Sequence, residues 1–201
     1  MAKKEVREFS PEELEARHKG LVELAGILEG TGVRYLLLDG ALLGAVRDGA
    51  FIPWDWDVDL GIYAESAEGK VWKLLDRASE AGFRVKLVRF GYMRLDLEKD
   101  GAEFTLQFYY EEGGLRRAGV IVHPKEFFDE TAELEFLGRR YPCPREKEKM
   151  LAHQYGSDWQ TPKKVGEGTP MNKYIARECF KRDPLRKRIA RRLIKILQKL
   201  A

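Results

Sequence analysis

The sequence predicts an α/β fold in which helices flank a mixed β-sheet, with a helical extension at the C-terminus. Helical and strand-like patterns alternate up to about residue 82. From residue 83 onwards, four short strand-like segments are separated by turn signals that contain glycine. A polar stretch over residues 157–170, rich in glycine and proline, precedes two further helical patterns.

The first helix has its own start and stop signals. Ser10, Pro11 and Glu13 form an N-cap, a first-turn proline and a capping box. Apolar residues follow at helical spacing, and the helix is expected to end at Gly30 or Gly32.

The other elements follow from hydrophobic spacing and turn residues. Strands are predicted over residues 33–38, 57–63, 83–88, 92–98, 103–110, 115–122 and 132–137, and helices over residues 41–47, 66–81, 145–155, 171–181 and 185–200. The early alternation of strand and helix favours a parallel start to the sheet, and the later turns favour an added antiparallel meander. We expect one domain over residues 1–165 and a helical extension over residues 166–201.

Composition and charge exclude several classes of protein. The 201 residues are 44% apolar and 34% charged, which is typical of a chain that buries a core and not of disorder. The net charge is +3, but residues 181–201 hold nine basic residues and one acidic residue, and +3 minus +8 leaves −5 elsewhere. A mildly acidic body excludes a polyanion-binding surface over the whole domain.

The sequence features do not indicate export or insertion into a membrane. Cys143 and Cys179 form no CxxC pair, and there is no apolar run of about 18 residues. The first 20 residues are charged and carry no apolar signal core. We therefore expect a cytoplasmic protein.

The last predicted helix, over residues 185–200, is basic and amphipathic. An apolar stripe that includes Leu185, Ile189 and Leu193 runs between lysines and arginines. The helix could lie on the anionic inner face of a membrane, or pack on its own domain or on another subunit. Nucleic acid is not an expected partner, because no stacking aromatic residues interrupt the stripe.

Alternating acids in residues 55–59 are the most informative feature of the sequence. In a strand, Asp57 and Asp59 project from one face, about 6.5–7 Å apart, and Asp55 shares their parity. Two carboxylates at this spacing are typical of a Mg²⁺ or Mn²⁺ site that is completed by substrate phosphate, although a solvated strand face has the same pattern. Trp54 and Trp56 favour the metal site, since buried tryptophans beside the acids would make unpaired carboxylates costly.

A second feature precedes this strand. The strand–turn–helix sequence around Asp39, Gly40 and Ala41 is typical of a phosphate cradle, since a glycine lets an anion approach the first N–H groups of a helix. Arg47, at the end of the short helix, could clamp a phosphate or form a surface ion pair.

These segments together resemble the LicD family, whose other branch includes fukutin and the fukutin-related protein, within the nucleotidyltransferase superfamily. The superfamily pattern of a small-residue turn followed by Asp-apolar-Asp-apolar is matched by Gly40, Ala41 and residues 57–60. The family's Leu-Leu-Gly-Ala-Val-Arg helix, leading to Phe-Ile-Pro-Trp-Asp and two further acids, is matched by residues 42–59. Its Tyr-Gly-x-x-Trp-x-Thr-Pro block is matched by residues 155–162.

The resemblance implies a nucleotidyltransferase-like sheet and a catalytic group of Asp55, Asp57 and Asp59, with Mg²⁺ (or Mn²⁺) bound by Asp57 and Asp59. It further implies transfer of a phosphorylated alcohol, such as phosphocholine or ribitol phosphate. The donor would be CDP-activated, the acceptor a hydroxyl of a glycan or lipid-linked glycan, and the product CMP. Members commonly have a hydroxyl residue where this chain has Ala41.

Other residues complete the expected site. Members usually take a third acid from a later strand, and the candidate positions here are Glu103, Gln107 and Asp96. The residues that could shape the nucleotide or acceptor pocket are His123, Tyr155, Trp159 and Thr161.

Two other functions remain open from the sequence. A nucleotidyltransferase in the strict sense would move NMP from an NTP to a small molecule or a protein. A non-catalytic interaction protein would retain the acids as a vestige and use its basic helix to recruit a partner.

Overall fold

The computed structural model of the protein describes residues 7–89, 92–119 and 121–163. The helices are α1 (Pro11–Thr31), α2 (Asp39–Arg47), α3 (Val71–Glu80), α4 (Glu126–Asp129) and α5 (Lys147–Tyr155), with a 3₁₀ turn at Ala64–Ala67. The strands are β1 (Tyr35–Leu37), β2 (Asp57–Tyr63), β3 (Arg84–Arg89), β4 (Arg94–Lys99), β5 (Ala102–Glu112), β6 (Leu115–Ala118), β7 (Ile121–Pro124), β8 (Thr131–Phe136) and β9 (Arg139–Pro144). The helices predicted over residues 171–181 and 185–200, and the whole extension from residue 166, lie outside the described residues.

A mixed sheet forms the centre of the fold, which confirms the predicted α/β class. Its strand order is β1-β2-β5-β4-β3, and β6 and β7 continue it from the end of β5. β2 and β5 are parallel, and the other neighbours are antiparallel. β8 and β9 form a separate hairpin, and β9 lies beside β1.

The expected parallel start of the sheet is wrong, because β1 and β2 are antiparallel. The connection from β1 to β2 is long enough for a parallel crossover, so its length does not set the direction of β2. β2 runs back alongside β1, and the parallel partner of β2 is the later strand β5.

Three other elements differ from the sequence prediction. The single strand expected over residues 115–122 is two strands, β6 and β7, that turn at Gly119 with φ +65°. The short helix α4 and the strand β9 were not predicted. β9 contains Pro142 and Pro144, which usually exclude a strand but are tolerated in a two-stranded hairpin, where one edge needs no N–H donor.

One face of the sheet is covered by helices. The capping box predicted at Ser10 is present, and α1 ends at Gly32 in the left-handed conformation. α1 contacts α3 and β5, and the apolar side chains of β2 and β5 on this side, such as Val58 and Phe104, are fully buried. Residues of β2 with the opposite parity face the other side of the sheet. Among the described residues, no helix is long and apolar enough to cross a membrane.

Two glycines in α1 allow a test of this packing. A Cβ at Gly20 would lie 2.3 Å from Cζ of Phe104, whereas a Cβ at Gly26 would have no atom within 4 Å. We expect Gly20→Ala to destabilise the fold by about 1–3 kcal/mol through overpacking. Gly26→Ala should stabilise it by about 0.5–1 kcal/mol through helix propensity alone. Urea denaturation of both variants measures the difference, and an equal gain in both would contradict the proposed close contact of α1 with β5.

Candidate active site

The two aspartates of β2 lie on the face of the sheet away from α1. In the β2–β5 ladder, Asp57 lies opposite Glu103 and Asp59 lies opposite Thr105. The intervening Val58 is fully buried on the other face. Asp55 precedes the strand, which begins at Asp57. The alternation read from the sequence therefore gives one acidic face and one apolar face.

A short hydrogen-bond chain fixes the Asp57 carboxylate. The Thr105 hydroxyl donates to Oδ2 of Asp57 at 2.7 Å. The Arg94 guanidinium donates to the same hydroxyl at 3.1 Å and, through Nε, to Asp96 at 2.5 Å. Thr105 is 2% exposed, so its hydroxyl bonds are shielded from water.

The turn before α2 brings two further carboxylates to this face. Asp39 has a left-handed φ of +49°, and its carboxylate accepts a hydrogen bond from Nε2 of Gln154. A Cβ at residue 40 would lie 1.7 Å from Oδ2 of Asp55, so only glycine allows the Asp55 carboxylate to pack on this turn. Ala41 points into the core and is 3% exposed.

Arg17 of α1 contacts the main chain of Asp55. Its guanidinium donates to the main-chain carbonyl of Asp55 and lies 3.9 Å from the ring centroid of Phe9. The whole residue is 2% exposed. A buried arginine therefore fixes the backbone next to the acidic strand.

Four crowded carboxylates give the site an excess of negative charge. Burial raises the pKa of Asp39 to about 6, and burial together with the charge of Asp57 raises the pKa of Asp55 to about 7. Burial, followed by the charges of Asp57 and Asp39, raises the pKa of Asp59 well above its usual value. Added positive charge would stabilise this arrangement.

The four carboxylates line one side of a cavity with a volume of about 660 Å³. It is lined by Asp39, Gly40, Leu43, Arg47, Ile52, Trp54, Asp55, Trp56, Asp57, Asp59, Arg94, Gln107, Ile121, His123, Gln154, Tyr155, Trp159, Thr161 and Lys163. Residues from the turn before α2, from three strands and from the segment after β9 thus converge on one space.

The candidates for a third acid lie in different surroundings. Glu103 forms an ion pair with Lys86 at 2.8 Å, and Asp96 forms its ion pair with Arg94. Of the three candidate positions, Gln107 alone is among the residues that line the cavity in the described part of the chain. Within the same part of the chain, no three Asp, Glu, His or Cys side chains are arranged so that all three could bind one metal ion.

The remaining predicted residues also reach the cavity. Arg47 holds Asp48 through two hydrogen bonds of 2.9 and 2.7 Å, and its side chain is 8% exposed. His123 is buried at 1% exposure, and Tyr155, Trp159 and Thr161 lie in the segment that closes the cavity.

The tryptophans differ from the sequence expectation. Trp56 is 41% exposed and Trp54 is only partly buried, so neither provides the buried surroundings expected for the acids. The low-dielectric environment comes instead from the packing of α2, β5 and α5 around the carboxylates.

Sequence reasoning missed three polar residues of the site. Thr105 shares the parity of Glu103 and Gln107, and that signal could have identified it. Arg94 and Gln154 contact the acids from distant segments, and no local pattern marks them.

Comparison with known proteins gives one family. The family model described as "LicD/FKTN/FKRP, nucleotidyltransferase domain" matches residues 32–146. The mouse protein "Ribitol 5-phosphate transferase FKRP" (Mus musculus) is 33% identical over 149 residues, which cover 66% of this chain and 30% of that protein. The mouse protein "Ribitol-5-phosphate transferase FKTN" is 30% identical over 165 residues, which cover 74% and 34%. The chain thus spans about a third of the length of these relatives.

A solved structure shares the fold. The solution structure of the antibiotic-resistance factor ANT(2'')-Ia is 14% identical, with a TM-score of 0.51. The match covers 72% of this chain and 74% of that chain.

The crowding of negative charge predicts that the Asp55 carboxylate destabilises the folded protein at neutral pH. The pKa of Asp55 rises from 3.8 in the unfolded chain to about 7 in the fold. Below pH 3.8 Asp55 therefore does not lower the free energy of unfolding, and between pH 3.8 and about pH 7 it lowers this free energy progressively more. In EDTA at pH 7.5, Asp55→Asn should raise the thermal midpoint by about 3–10 °C, and the difference should vanish near pH 4.

Asp76→Asn, on the exposed side of α3, is the matched control and should leave the midpoint unchanged. A lower midpoint for Asp55→Asn at pH 7.5 would show that local cations already balance the four carboxylates.

Proposed function

Because the chain belongs to the LicD/FKTN/FKRP family of nucleotidyltransferase domains, we propose that it transfers a phosphorylated alcohol from a CDP-activated donor to a glycan hydroxyl, with release of CMP. One observation carries the proposal: Asp57 and Asp59 project together from β2 into a cavity beside the turn before α2. The names of the relatives support phosphotransfer, and the resemblance of residues 42–59 and 155–162 to the family motifs supports the CDP donor.

The donor atoms of the site fit a hard divalent cation. They are carboxylate oxygens, which suit Mg²⁺ or Mn²⁺ better than zinc, and they are crowded enough to need added positive charge. Asp57 and Asp59 would hold the ion, and donor phosphate and water would complete its shell. When bound, the ion would offset the negative charge that develops on the leaving CMP.

The chain's own residues position the other groups. Thr105, supported by Arg94, orients the Asp57 carboxylate. Arg47 and Lys163 line the cavity and would face the donor phosphates. Trp54, Tyr155 and Trp159 provide aromatic surfaces on which a cytosine ring can stack.

In the proposed reaction, the acceptor oxygen attacks the phosphorus that carries the alcohol. The bond from that phosphorus to the CMP oxygen breaks, and CMP leaves with the electron pair. The acceptor proton passes to Asp55, whose carboxylate packs on the turn at Gly40 and lines the cavity with Asp57 and Asp59. Most of the rate would come from positioning and electrostatics, as is usual in phosphoryl transfer.

Titration calorimetry with CDP-ribitol, CDP-glycerol and CDP-choline, with and without Mg²⁺, tests this proposal. We expect binding of at least one donor to require Mg²⁺. Asp57→Asn and Asp59→Asn should each weaken the Mg²⁺-dependent binding by about tenfold or more, since each removes a charged ligand. Asp76→Asn should bind like the wild type.

Two results would redirect the assignment. Release of pyrophosphate from an NTP would select NMP transfer. A cellular role that survives Asp57→Asn and Asp59→Asn would select the non-catalytic alternative, as would the lack of any Mg²⁺-dependent binding of a cytidine nucleotide.

A further inference from the structure

The turn that carries Asp55 is held from outside the segment that the family model matches. Residues 52–55 form this turn, and the Asp55 N–H donates to the Ile52 carbonyl at 3.1 Å. The carbonyls of Pro53 and Asp55 accept hydrogen bonds from groups of residues 7–17. Because the family match begins at residue 32, residues 7–17 lie before it.

Two hydrogen bonds join residues 7–17, here called the N-terminal strap, to this turn. The Phe9 N–H donates to the Pro53 carbonyl at 2.7 Å, and the Arg17 guanidinium donates to the Asp55 carbonyl. Among the described residues, this is the one hydrogen bond that the Arg17 side chain makes. The strap therefore holds the backbone on both sides of Trp54, which lines the cavity.

The strap is fixed by its own contacts. The Arg17 guanidinium lies 3.9 Å from the ring centroid of Phe9, and the Arg7 guanidinium lies 4.5 Å from the same centroid. Arg7 donates to Glu13 at 2.8 Å, and the Glu13 carboxylate accepts from the Ser10 N–H in the capping box. These contacts tie the strap to the first turn of α1, the helix that packs on β5.

Asp55 is held from two sides. Arg17 binds its main chain, and its carboxylate packs on the turn before α2, where only glycine fits at residue 40. A catalytic group has to stay within about 0.5 Å of its working position. Loss of Arg17 would release the main-chain side of Asp55, whereas Asp57 and Asp59 lie in β2 and are held by the ladder with β5.

The burial of Arg17 favours a role in the site over a purely structural one. The residue is 2% exposed, and the removal of a guanidinium from water is costly. An apolar side chain could pack beside Phe9 at a lower cost. Arg17 instead brings a donor to the Asp55 carbonyl and a positive charge close to the Asp55 and Asp57 carboxylates.

We propose that Arg17 is a positioning residue: together with Phe9 it holds the turn of residues 52–55 and so fixes Asp55 against the acceptor oxygen. The proposal rests on the proposed function for the role of Asp55, and it adds to the site a segment that lies before the family match. Loss of Arg17 should loosen the turn and slow the transfer, while the donor site on β2 remains formed.

Hydrogen–deuterium exchange of full-chain variants tests the hold on the turn. Arg17→Met removes the charge and the donors, and Arg17→Lys keeps a charge and a donor. In Arg17→Met, the amides of residues 54–56 should exchange about tenfold faster or more, and those of β5 should exchange as in the wild type. Arg17→Lys should restore most of the protection. Lys19→Met, also on α1 but with a 71% exposed side chain, is the matched control and should behave like the wild type.

Kinetics tests the consequence for transfer. CMP release is measured from CDP-ribitol, CDP-glycerol and CDP-choline with Mg²⁺, and calorimetry gives the Kd of CMP. Arg17→Met should lower kcat about tenfold or more and leave the Kd of CMP within about threefold, because a misplaced group slows the reaction without loss of the donor site. Arg17→Lys should keep kcat within about threefold of the wild type.

Phe9→Ala keeps the test decisive if Arg17→Met does not fold. Phe9 is half-buried, and the substitution removes the ring that packs on the Arg17 guanidinium. Phe9→Ala should speed exchange at residues 54–56 and lower kcat, each by about threefold, with the Kd of CMP unchanged.

The outcomes separate the strap from the proposed function. Exchange at residues 54–56 that stays at the wild-type rate in both Arg17→Met and Phe9→Ala would overturn the proposal, as would exchange that rises equally in β5. An equal loss of CMP binding and kcat, or no recovery in Arg17→Lys, would also overturn it, since a purely structural role predicts both. If the wild type does not bind CMP with Mg²⁺ or releases none, the proposed function fails, and the exchange at residues 54–56 still shows whether the strap holds the turn.

Discussion

Mutual repulsion among buried carboxylates is the constraint on which the site depends. Strand alternation places Asp57 and Asp59 on one face, and the turn before α2 adds Asp39 and Asp55 to the same space. These carboxylates are not fully solvated, because α2, β5 and α5 partly enclose them. Burial raises the pKa of all four carboxyl groups, to about 6 for Asp39 and about 7 for Asp55, so keeping the four together costs the folded protein stability.

The neighbouring polar groups orient the acids and offset only part of their charge. Thr105 supplies a neutral donor to Asp57, and Gln154 supplies another to Asp39. Of the nearby arginines, Arg94 is engaged with Asp96, and Arg17 bonds to a main-chain carbonyl. Carboxylates that are held in fixed positions with too little positive charge around them are typical of a site that binds a cationic ligand.

The sequence predicted those parts of the fold that depend on local chemistry. The capping box at Ser10 and the bounds of β2 follow from short patterns, and the acidic face of β2 follows from strand parity. The direction of β2 relative to β1 did not follow, because it depends on where the loop after α2 returns the chain. The pairing of Gln154 with Asp39 joins residues 115 positions apart, and only the folded chain brings them together.

The candidate site was predictable to a similar extent. Family motifs include Asp57, Asp59, Gly40, Tyr155, Trp159 and Thr161, and all six line the cavity. Ala41 belongs to the turn motif, yet its side chain lies in the core. Glu103 lies on β5 beside the acids, yet it forms an ion pair with Lys86. Orientation within a motif depends on packing, which the motif itself does not encode.

In the proposed site, Asp57 and Asp59 hold a divalent cation next to a cytidine diphosphate linkage. Electron paramagnetic resonance of Mn²⁺, titrated with the full chain in the presence of a CDP-alcohol, measures this most directly. One bound ion per chain, lost when both aspartates are changed to asparagine and retained in Asp76→Asn, is the result predicted here. An equal amount of bound Mn²⁺ in the wild type and the double variant would contradict it.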